Sequence, residues 1–540
     1  MRQKLAATLS LSMLSLFALL ILSGVYLPLY SDEAVTKFSV ARFFLEHGQM
    51  VSFFPQCSAT VGHGVALVFY PAAVLLSMVY APLDPLGIRI VGVVLALAWF
   101  ALMAWWCARQ ATEHWKQRFV LLAGLCALGV MPYLWVMSRP EQFMLVPMLF
   151  FCVAALQAPG RESPGKQIAA GILAALLAST LFYAHPKAVF FIPFLMAAAW
   201  GATAHFPRWS RAALLLYIAA LGLQALRDAT ILSACEDAPV VQSVLASNIL
   251  APGTLLSAPS TFLVAVLENL QQFFPRVLKH LVFTEQFQSG WLPPLAQTPG
   301  LLPVLNALLK VAACLLMVVA HLGALIAALV ALSRRRLPLP LLLAALLAAG
   351  DLLNAALYNR QNFYSLIQYV PISIMILALL LAYRPMRRAQ TVLVTLVCPL
   401  AVVSLLTLAW LLTPNIVRNA SYPAATIPGQ PISIPVLGTE QRLETLRELG
   451  QRCHIPQQSA KFLVVDHMTY FAYRQNTQPV HVLYISELAY GGDLKGRLLP
   501  FLKEHGSPGL IARCEWIPAE LRDQQQDNGQ GYCCVDLSDN

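Results

Sequence analysis

Long apolar runs separated by short polar breaks fill the first three quarters of the chain. The first runs from Leu5 to Leu29, and others of spanning length follow at 88–107, 119–137, 142–158, 168–184, 188–204, 212–232, 304–332, 338–357, 364–383 and 389–412. Each is long enough to cross a hydrocarbon core of about 30 Å as a helix. They predict about eleven membrane spans. Two further apolar stretches are ambiguous. Val65–Tyr80 is short, and Thr261–Phe283 is weakly amphipathic and interrupted by Glu268, Asn269, Gln271 and Gln272. Pro275 is expected to break or kink the second.

Charge sorts the loops. If Val65–Tyr80 stays at the interface, the clusters Arg109/Lys116/Arg118, Arg161/Lys166, Arg208/Arg211, Arg334-Arg335-Arg336 and Arg384/Arg387/Arg388 share a side with Arg2 and Lys4. That is the positive-inside arrangement. If it crosses, all five clusters move outside. Val65–Tyr80 is therefore read as an interfacial or re-entrant helix, and Thr261–Phe283 as lying on or dipping into the membrane. The N-terminal apolar run exceeds a signal-peptide core of 7–15 residues, so it reads as a retained anchor with a cytoplasmic N-terminus.

The tail changes pattern. Thr439–Cys453 reads as a helix. Lys461–Val465, Val480–Ile485, Gly509–Cys514 and Tyr532–Val535 read as short buried strands, with a helix at Asp493–Glu504. This alternation predicts a small α/β domain. The expected division is a membrane domain at 1–412, with outer loops at 30–64 and 233–300, and an outward α/β domain at 413–540.

Composition agrees. The 540 residues are 58% hydrophobic and 11% charged, against about 25% charged in soluble domains. The net charge of +10 sits in short loops and reads as topology, with no nucleic-acid partner. Cys107, Cys126, Cys152, Cys314 and Cys398 fall in spans and read as packing residues. Cys57, Cys235, Cys453, Cys514, Cys533 and Cys534 face the oxidising side. Disulfides are expected in the tail, with their connectivity open.

The unusual polar residues lie in the outer loops. Asp32 and Glu33 follow the first span; the pair suits a general base or a metal site, or equally a helix N-cap with a first-turn acid. Ser138-Arg139-Pro140-Glu141 ends the third span. Arg139 suits a phosphate clamp and Glu141 its orientation or a metal, or the two form a structural pair with Pro140 at a helix start. His185 and Lys187 in Tyr183-Ala184-His185-Pro186-Lys187 offer positive charge, or Lys187 merely snorkels. Asn359, Arg360 and Tyr364, with Gln368 and Tyr369 beyond, suit sugar or phosphate contacts or an aromatic belt. His63 is a further candidate. Cations beside a carboxylate suit transfer from a lipid phosphate, in which they neutralise the leaving group.

Taken in order, Asp32-Glu33, an interfacial helix with Tyr70-Pro71, Gly87-Ile88-Arg89, Arg139-Pro140-Glu141 and His185-Pro186-Lys187 resemble the GT-C glycosyltransferases. The resemblance is closest to the bacterial branch of protein O-mannosyltransferases and the lipid A aminoarabinose transferase, and it covers roughly Leu5–Tyr383. It implies an α-helical polytopic inner-membrane enzyme with a periplasmic site. The enzyme would be an inverting transferase taking sugar from a polyprenyl (undecaprenyl) phosphate donor. Acceptors would be lipid A or another lipopolysaccharide, a surface glycan or a protein. Asp32 maps to the base, with Glu33 beside it, and Arg139, Lys187 and Arg360 to phosphate contacts. The residues leave a metal requirement open; were a divalent cation used, Asp32, Glu33 and Glu141 would be its ligands. The branch's Lys-Pro-Pro before the interfacial helix is replaced here by Gly62-His63-Gly64, so either His63 substitutes or the phosphate is held elsewhere. Competing readings are a lipid-linked-sugar flippase or transporter, and an O-antigen ligase or polymerase. Transport places ionisable groups near the midplane, and here the spans carry few, Asp351 and Arg227 among them.

Overall fold

The structure, a computed structural model, describes residues 2–30, 33, 79, 83–110, 114–157, 164–233, 249–251, 253–283, 300–358, 365–384, 387–421, 433–434, 436–457, 464–465, 469–473, 481–482, 499–500, 502–503 and 506–538. The expected interfacial helix Val65–Tyr80 and the residues Cys57 and Cys235 lie outside them, apart from the helical residue Val79.

The chain is an α-helical polytopic membrane protein with a small C-terminal sheet. Among the described residues the bundle's helices are α1 (Arg2–Ser23), α2 (Pro85–Gln110), α3 (Trp115–Cys126), α4 (Met131–Trp135), α5 (Pro140–Leu156), α6 (Pro164–Ala184), α7 (Ile192–Ala202), α8 (Arg208–Ser233), α9 (Thr254–Ser257), α10 (Pro259–Leu281), α11 (Leu302–Ser333), α12 (Leu339–Leu357), α13 (Leu366–Tyr383) and α14 (Arg387–Ser421). Among the described residues, eight helices are long and apolar enough to cross a membrane. They coincide with eight of the eleven expected spans. Leu216, Leu223, Leu308, Leu315 and Leu329 on α8 and α11 stay exposed, as lipid-facing positions do.

The other three runs are short or broken. The run 142–158 becomes α5, of 17 residues. The run 188–204 opens as a 3-10 turn, Pro186–Phe191, and continues as the 11-residue α7. The run 119–137 is split between α3 and α4. Gly129 sits at the break with φ +57°. Its N–H donates to Ser404 Oγ at 2.8 Å, and the Val130 N–H donates to the Leu281 carbonyl at 3.0 Å. The backbone groups freed by the break thus find partners on α14 and α10, as a membrane interior requires. A Cβ on Gly129 would stand 2.0 Å from the Leu281 oxygen. Gly129→Ala is therefore expected to destabilise the fold by roughly 2 kcal/mol or more, read as a lowered Tm in detergent. Gly165→Ala, where a Cβ meets nothing within 4 Å, should leave Tm unchanged.

The stretch around Pro275 differs from expectation. Helix α10 runs unbroken through Pro275. Asn269, Phe273, Val277 and Leu281 are buried at every fourth position, one stripe along the helix. Asn269 Nδ2 also donates to the Ala356 carbonyl at 2.8 Å. Burial of that stripe offsets the hydrogen bond that proline removes.

The two ends of the bundle are chemically distinct. At one end Arg118 donates to the Leu381 carbonyl at 3.2 Å, and Gln110 reaches the Leu156 carbonyl at 3.5 Å. Arg109 and Arg384 belong to this end. The starts of α2 and α5 form the other.

At that other end, β1 (Leu29–Tyr30) pairs antiparallel with β2 (Ser433–Ile434). Leu29 and Ile88 share a buried cluster with Ile434, Val436, Leu443, Phe471 and Tyr473. The tail thus packs on the end of the bundle where α1 stops and α2 begins. The helix expected at Thr439–Cys453 is α15 (Thr439–Arg452), followed by α16 (Thr469–Tyr473). All four expected strands appear, as β3 (Val464–Val465), β4 (His481–Val482), β5 (Gly509–Arg513) and β7 (Tyr532–Asp536), with β6 (Gln526–Asp527) added at the edge. The order β4-β3-β5-β7-β6 is parallel around β3 and antiparallel around β7. Within the expected helix 493–504, residues 499–500 and 502–503 are helical. Two disulfides brace the sheet. Cys453–Cys534 ties the end of α15 to β7, and Cys514–Cys533 ties the end of β5 to β7. The five cysteines of the spans are free.

Candidate functional site

The end of the bundle under the tail holds two buried charge clusters joined by one short loop. The first centres on Arg89, fully buried in the first turns of α2. All five guanidinium N–H groups are used. Nε donates to the Leu27 carbonyl at 3.1 Å. Nη1 donates to Glu33 Oε2 at 2.7 Å and to the Val136 carbonyl at 3.1 Å. Nη2 donates to the Pro28 carbonyl and to the Tyr133 hydroxyl, the latter at 2.8 Å. Glu33 Oε2 also accepts the Ser138 N–H at 3.1 Å. One side chain thus clasps the exit of α1, the start of α2 and the α4–α5 loop. A guanidinium with every donor engaged is the form in which a buried arginine is tolerated.

The second cluster begins one residue along, at Arg139, the N-cap of α5. Pro140 at the first helical position supplies the fixed φ that starts the helix. Gln142 Oε1 accepts the Arg139 backbone N–H at 3.3 Å. Glu141 then lies in the first turn, where the helix dipole favours an anion. It is 1% exposed. Arg139 Nε stands 3.4 Å from Glu141 Oε2, and His185 Nε2 stands 3.5 Å from Oε1. His185 caps the 3-10 turn Pro186–Phe191, its Nδ1 accepting the Lys187 N–H at 3.1 Å. That bond leaves the neutral ring's hydrogen on Nε2, toward Glu141. Lys187 is buried, with Nζ 4.8 Å above the Tyr358 ring. Glu141 Oε2 accepts no hydrogen bond among the described residues. A buried carboxylate oxygen in that state is costly without a further partner.

Of the sequence candidates, the structure brings together Arg139, Glu141, His185 and Lys187, and links them through Ser138 to Glu33. Asp32, His63, Asn359, Arg360 and Tyr364 lie outside the described residues. Tyr358, the residue before Asn359, touches Lys187. For a divalent cation the described carboxylates offer a poor fit. Glu33 Oε2 already serves Arg89, and Glu141 is faced by two basic side chains at ion-pair distance. Among the described residues one group of metal-donor side chains occurs elsewhere, Cys514, Asp527 and Cys533. Its two sulfurs are joined in a disulfide, so they are not thiolate ligands.

Sequence reasoning missed two elements. Arg89 entered only as part of a short motif, although a lone arginine inside an apolar run is itself a signal. The other is a polar network inside the bundle, whose members Asp351, Gln368 and Tyr369 stood out singly in the sequence but whose joining through His321 and Asn354 did not. His321 on α11, Asp351 on α12 and Gln368 on α13 are fully buried. His321 Nδ1 faces the Met317 carbonyl at 2.8 Å and Nε2 faces Asp351 Oδ2 at 3.0 Å. Gln368 Nε2 donates to Asp351 Oδ1 at 3.1 Å, and Asn354 Nδ2 to the Tyr369 hydroxyl at 2.9 Å. A carbonyl only accepts, so Nδ1 carries hydrogen. The Nε2–Oδ2 contact then needs one further proton, shared between imidazole and carboxyl.

What fold and site define at this point is a multi-pass membrane protein with a buried acid–base rim at one end of its bundle. No family model matches the chain, and no curated protein matches it. Among solved structures, it is similar to the archaeal oligosaccharyltransferase AglB from Archaeoglobus fulgidus in complex with an inhibitory peptide and a dolichol-phosphate. Identity there is 11%, over 93% of this chain and 69% of that one, with a TM-score of 0.42. The apo form of the Archaeoglobus fulgidus oligosaccharyltransferase gives 11% identity, 93% and 70% coverage, and a TM-score of 0.40.

Proposed function

We propose that the chain is an inverting glycosyltransferase of GT-C type that moves a sugar from a polyprenyl-phosphate donor to a periplasmic acceptor, a lipid A or other lipopolysaccharide, a surface glycan or a protein. The observation that carries this reading is the convergence of Arg139 and His185 on Glu141, with the buried Lys187 in the same turn as His185, one residue from the Ser138–Glu33 bond. Developing negative charge on a leaving lipid phosphate is stabilised by such preorganised cations. In this reading Lys187 and Arg139 receive the phosphate, Glu141 holds His185 and Arg139 in place, and Asp32 removes the acceptor's hydroxyl proton. Glu33, held by Arg89, fixes the chain next to Asp32. His63, Asn359, Arg360 and Tyr364 complete the donor contacts.

Deleting the protein is expected to make one lipid-linked sugar accumulate in the membrane, and Asp32→Asn to reproduce that accumulation with the protein still folded. Unchanged lipid and glycan profiles in the deletion strain would overturn the reading. Full activity in Asp32→Asn would overturn the assignment of the base.

One observation favours a second reading. The His321–Asp351–Gln368 network places shared-proton chemistry inside the bundle, where transporters keep ionisable groups. If the chain moves a lipid-linked sugar across the bilayer, Asp351→Asn should stop its translocation in liposomes while no sugar is ever released from the lipid.

A further inference from the structure

Away from the site, α6 and α8 run side by side in parallel and leave an apolar groove of about 470 Å³ between their N-terminal halves. Pro164, Gln167, Ile168, Gly171, Ile172 and Ala175 form one helical stripe on α6, and Ser210, Ala213, Leu214 and Tyr217 another on α8, closed by Phe206 and Trp209. The room comes from small residues. A Cβ on Gly171 would meet only Phe206, at 3.4 Å. The volume lies within the range of small-ligand sites, about 300–1,000 Å³. The α6 stripe spans 12 residues from Pro164 to Ala175, a rise of about 16 Å along the helix. That is half of a hydrocarbon core of about 30 Å, the depth of one leaflet.

Charge marks one end of the groove. Lys166, Arg208 and Arg211 are interleaved with its lining residues where α6 and α8 begin, and neither helix has an acid in its first turn. Arg211 is fixed there, its guanidinium 3.4 Å above the Trp200 ring and Nη2 donating to the Trp200 carbonyl at 3.0 Å. Lys166 and Arg208 remain exposed. Trp209, 74% exposed, stands at the same level, as interfacial tryptophans do.

We infer that this groove binds one anionic glycerophospholipid, with an acyl chain along Gly171 and Ala213 and the phosphate headgroup at Lys166 and Arg208. A one-leaflet apolar slot ending in positive charge complements that molecule. A zwitterionic lipid fills the slot equally well and gains less at its end. The inference is independent of the glycosyl-transfer reading.

Native mass spectrometry of the full-length protein, titrated with dioleoyl phosphatidylglycerol or dioleoyl phosphatidylcholine, tests it. Two exposed cations at about 1 kcal/mol each predict a preference for phosphatidylglycerol of about tenfold or more. The double variant Lys166→Gln/Arg208→Gln should lose the preference and keep phosphatidylcholine binding. Gly171→Leu should lower retention of both lipids, with the wild-type Tm as the folding control. If Gly171→Leu does not fold, Ala213→Leu fills the same slot from α8 and carries the test. Equal retention of the two lipids by wild type, or retention unchanged in the filled variant, would overturn the proposal.

Discussion

Arg89→Met is expected to destabilise the protein by about 3–5 kcal/mol, the usual cost of removing one partner from a buried ion pair. The loss is larger than an ordinary core substitution because four other acceptors lose their donor with it. The carbonyls of Leu27, Pro28 and Val136 and the Tyr133 hydroxyl all depend on the same guanidinium. Glu33→Gln alone should also destabilise, by leaving Arg89 buried without its counter-charge. In the double variant Arg89→Met/Glu33→Gln both charges are gone, and part of the stability should return. Arg89→Lys should not rescue, since an ammonium has three donors and no planar fork. Thermal unfolding of the four variants in detergent gives the coupling directly. Additive losses, with no recovery in the double variant, would show that Arg89 and Glu33 are not energetically linked.

Lys187→Met is expected to lower transfer from the lipid-linked donor by about 10²–10³-fold, the usual effect of removing one preorganised group that stabilises transition-state charge. The stability change should be small by comparison, because burying Lys187 is itself costly and methionine fills its stem. Lys187→Arg should keep part of the activity, as a cation that still reaches a phosphate. Glu141→Gln should fall with Lys187→Met, because His185 and Arg139 lose their common anchor. The readout is the rate of sugar release from the lipid that accumulates in the deletion strain, with kcat and KM separated. A pure rise in KM with unchanged kcat would make Lys187 a binding contact rather than a stabiliser of the leaving phosphate.

Glu141 and His185 were legible as outward polar residues in apolar surroundings. Their meeting was not, because it needs the turn at Pro186 and the start of α5 to face each other. Arg89 shows the opposite failure. It reads as an entry residue to a span, and only the folded chain surrounds it with groups from Leu27 to Val136. Pro275 misled because proline's local cost is visible in sequence while the burial that outweighs it, along Asn269, Phe273 and Val277, is not. The break at Gly129 was invisible for a similar reason. The carbonyl that accepts the Val130 N–H there, at Leu281, is delivered by another helix.

By itself the sequence determined residence in a membrane, the position of the apolar helices and the α/β character of the tail. Those follow from transfer free energies and side-chain periodicities, which are sums over neighbouring residues. The tertiary structure alone decided which charges pair, where a span breaks, which cysteines join and how the strands are ordered. Each of these turns on ångström-scale approach between segments far apart in the chain, where one carbonyl or one missing Cβ is enough to choose the outcome.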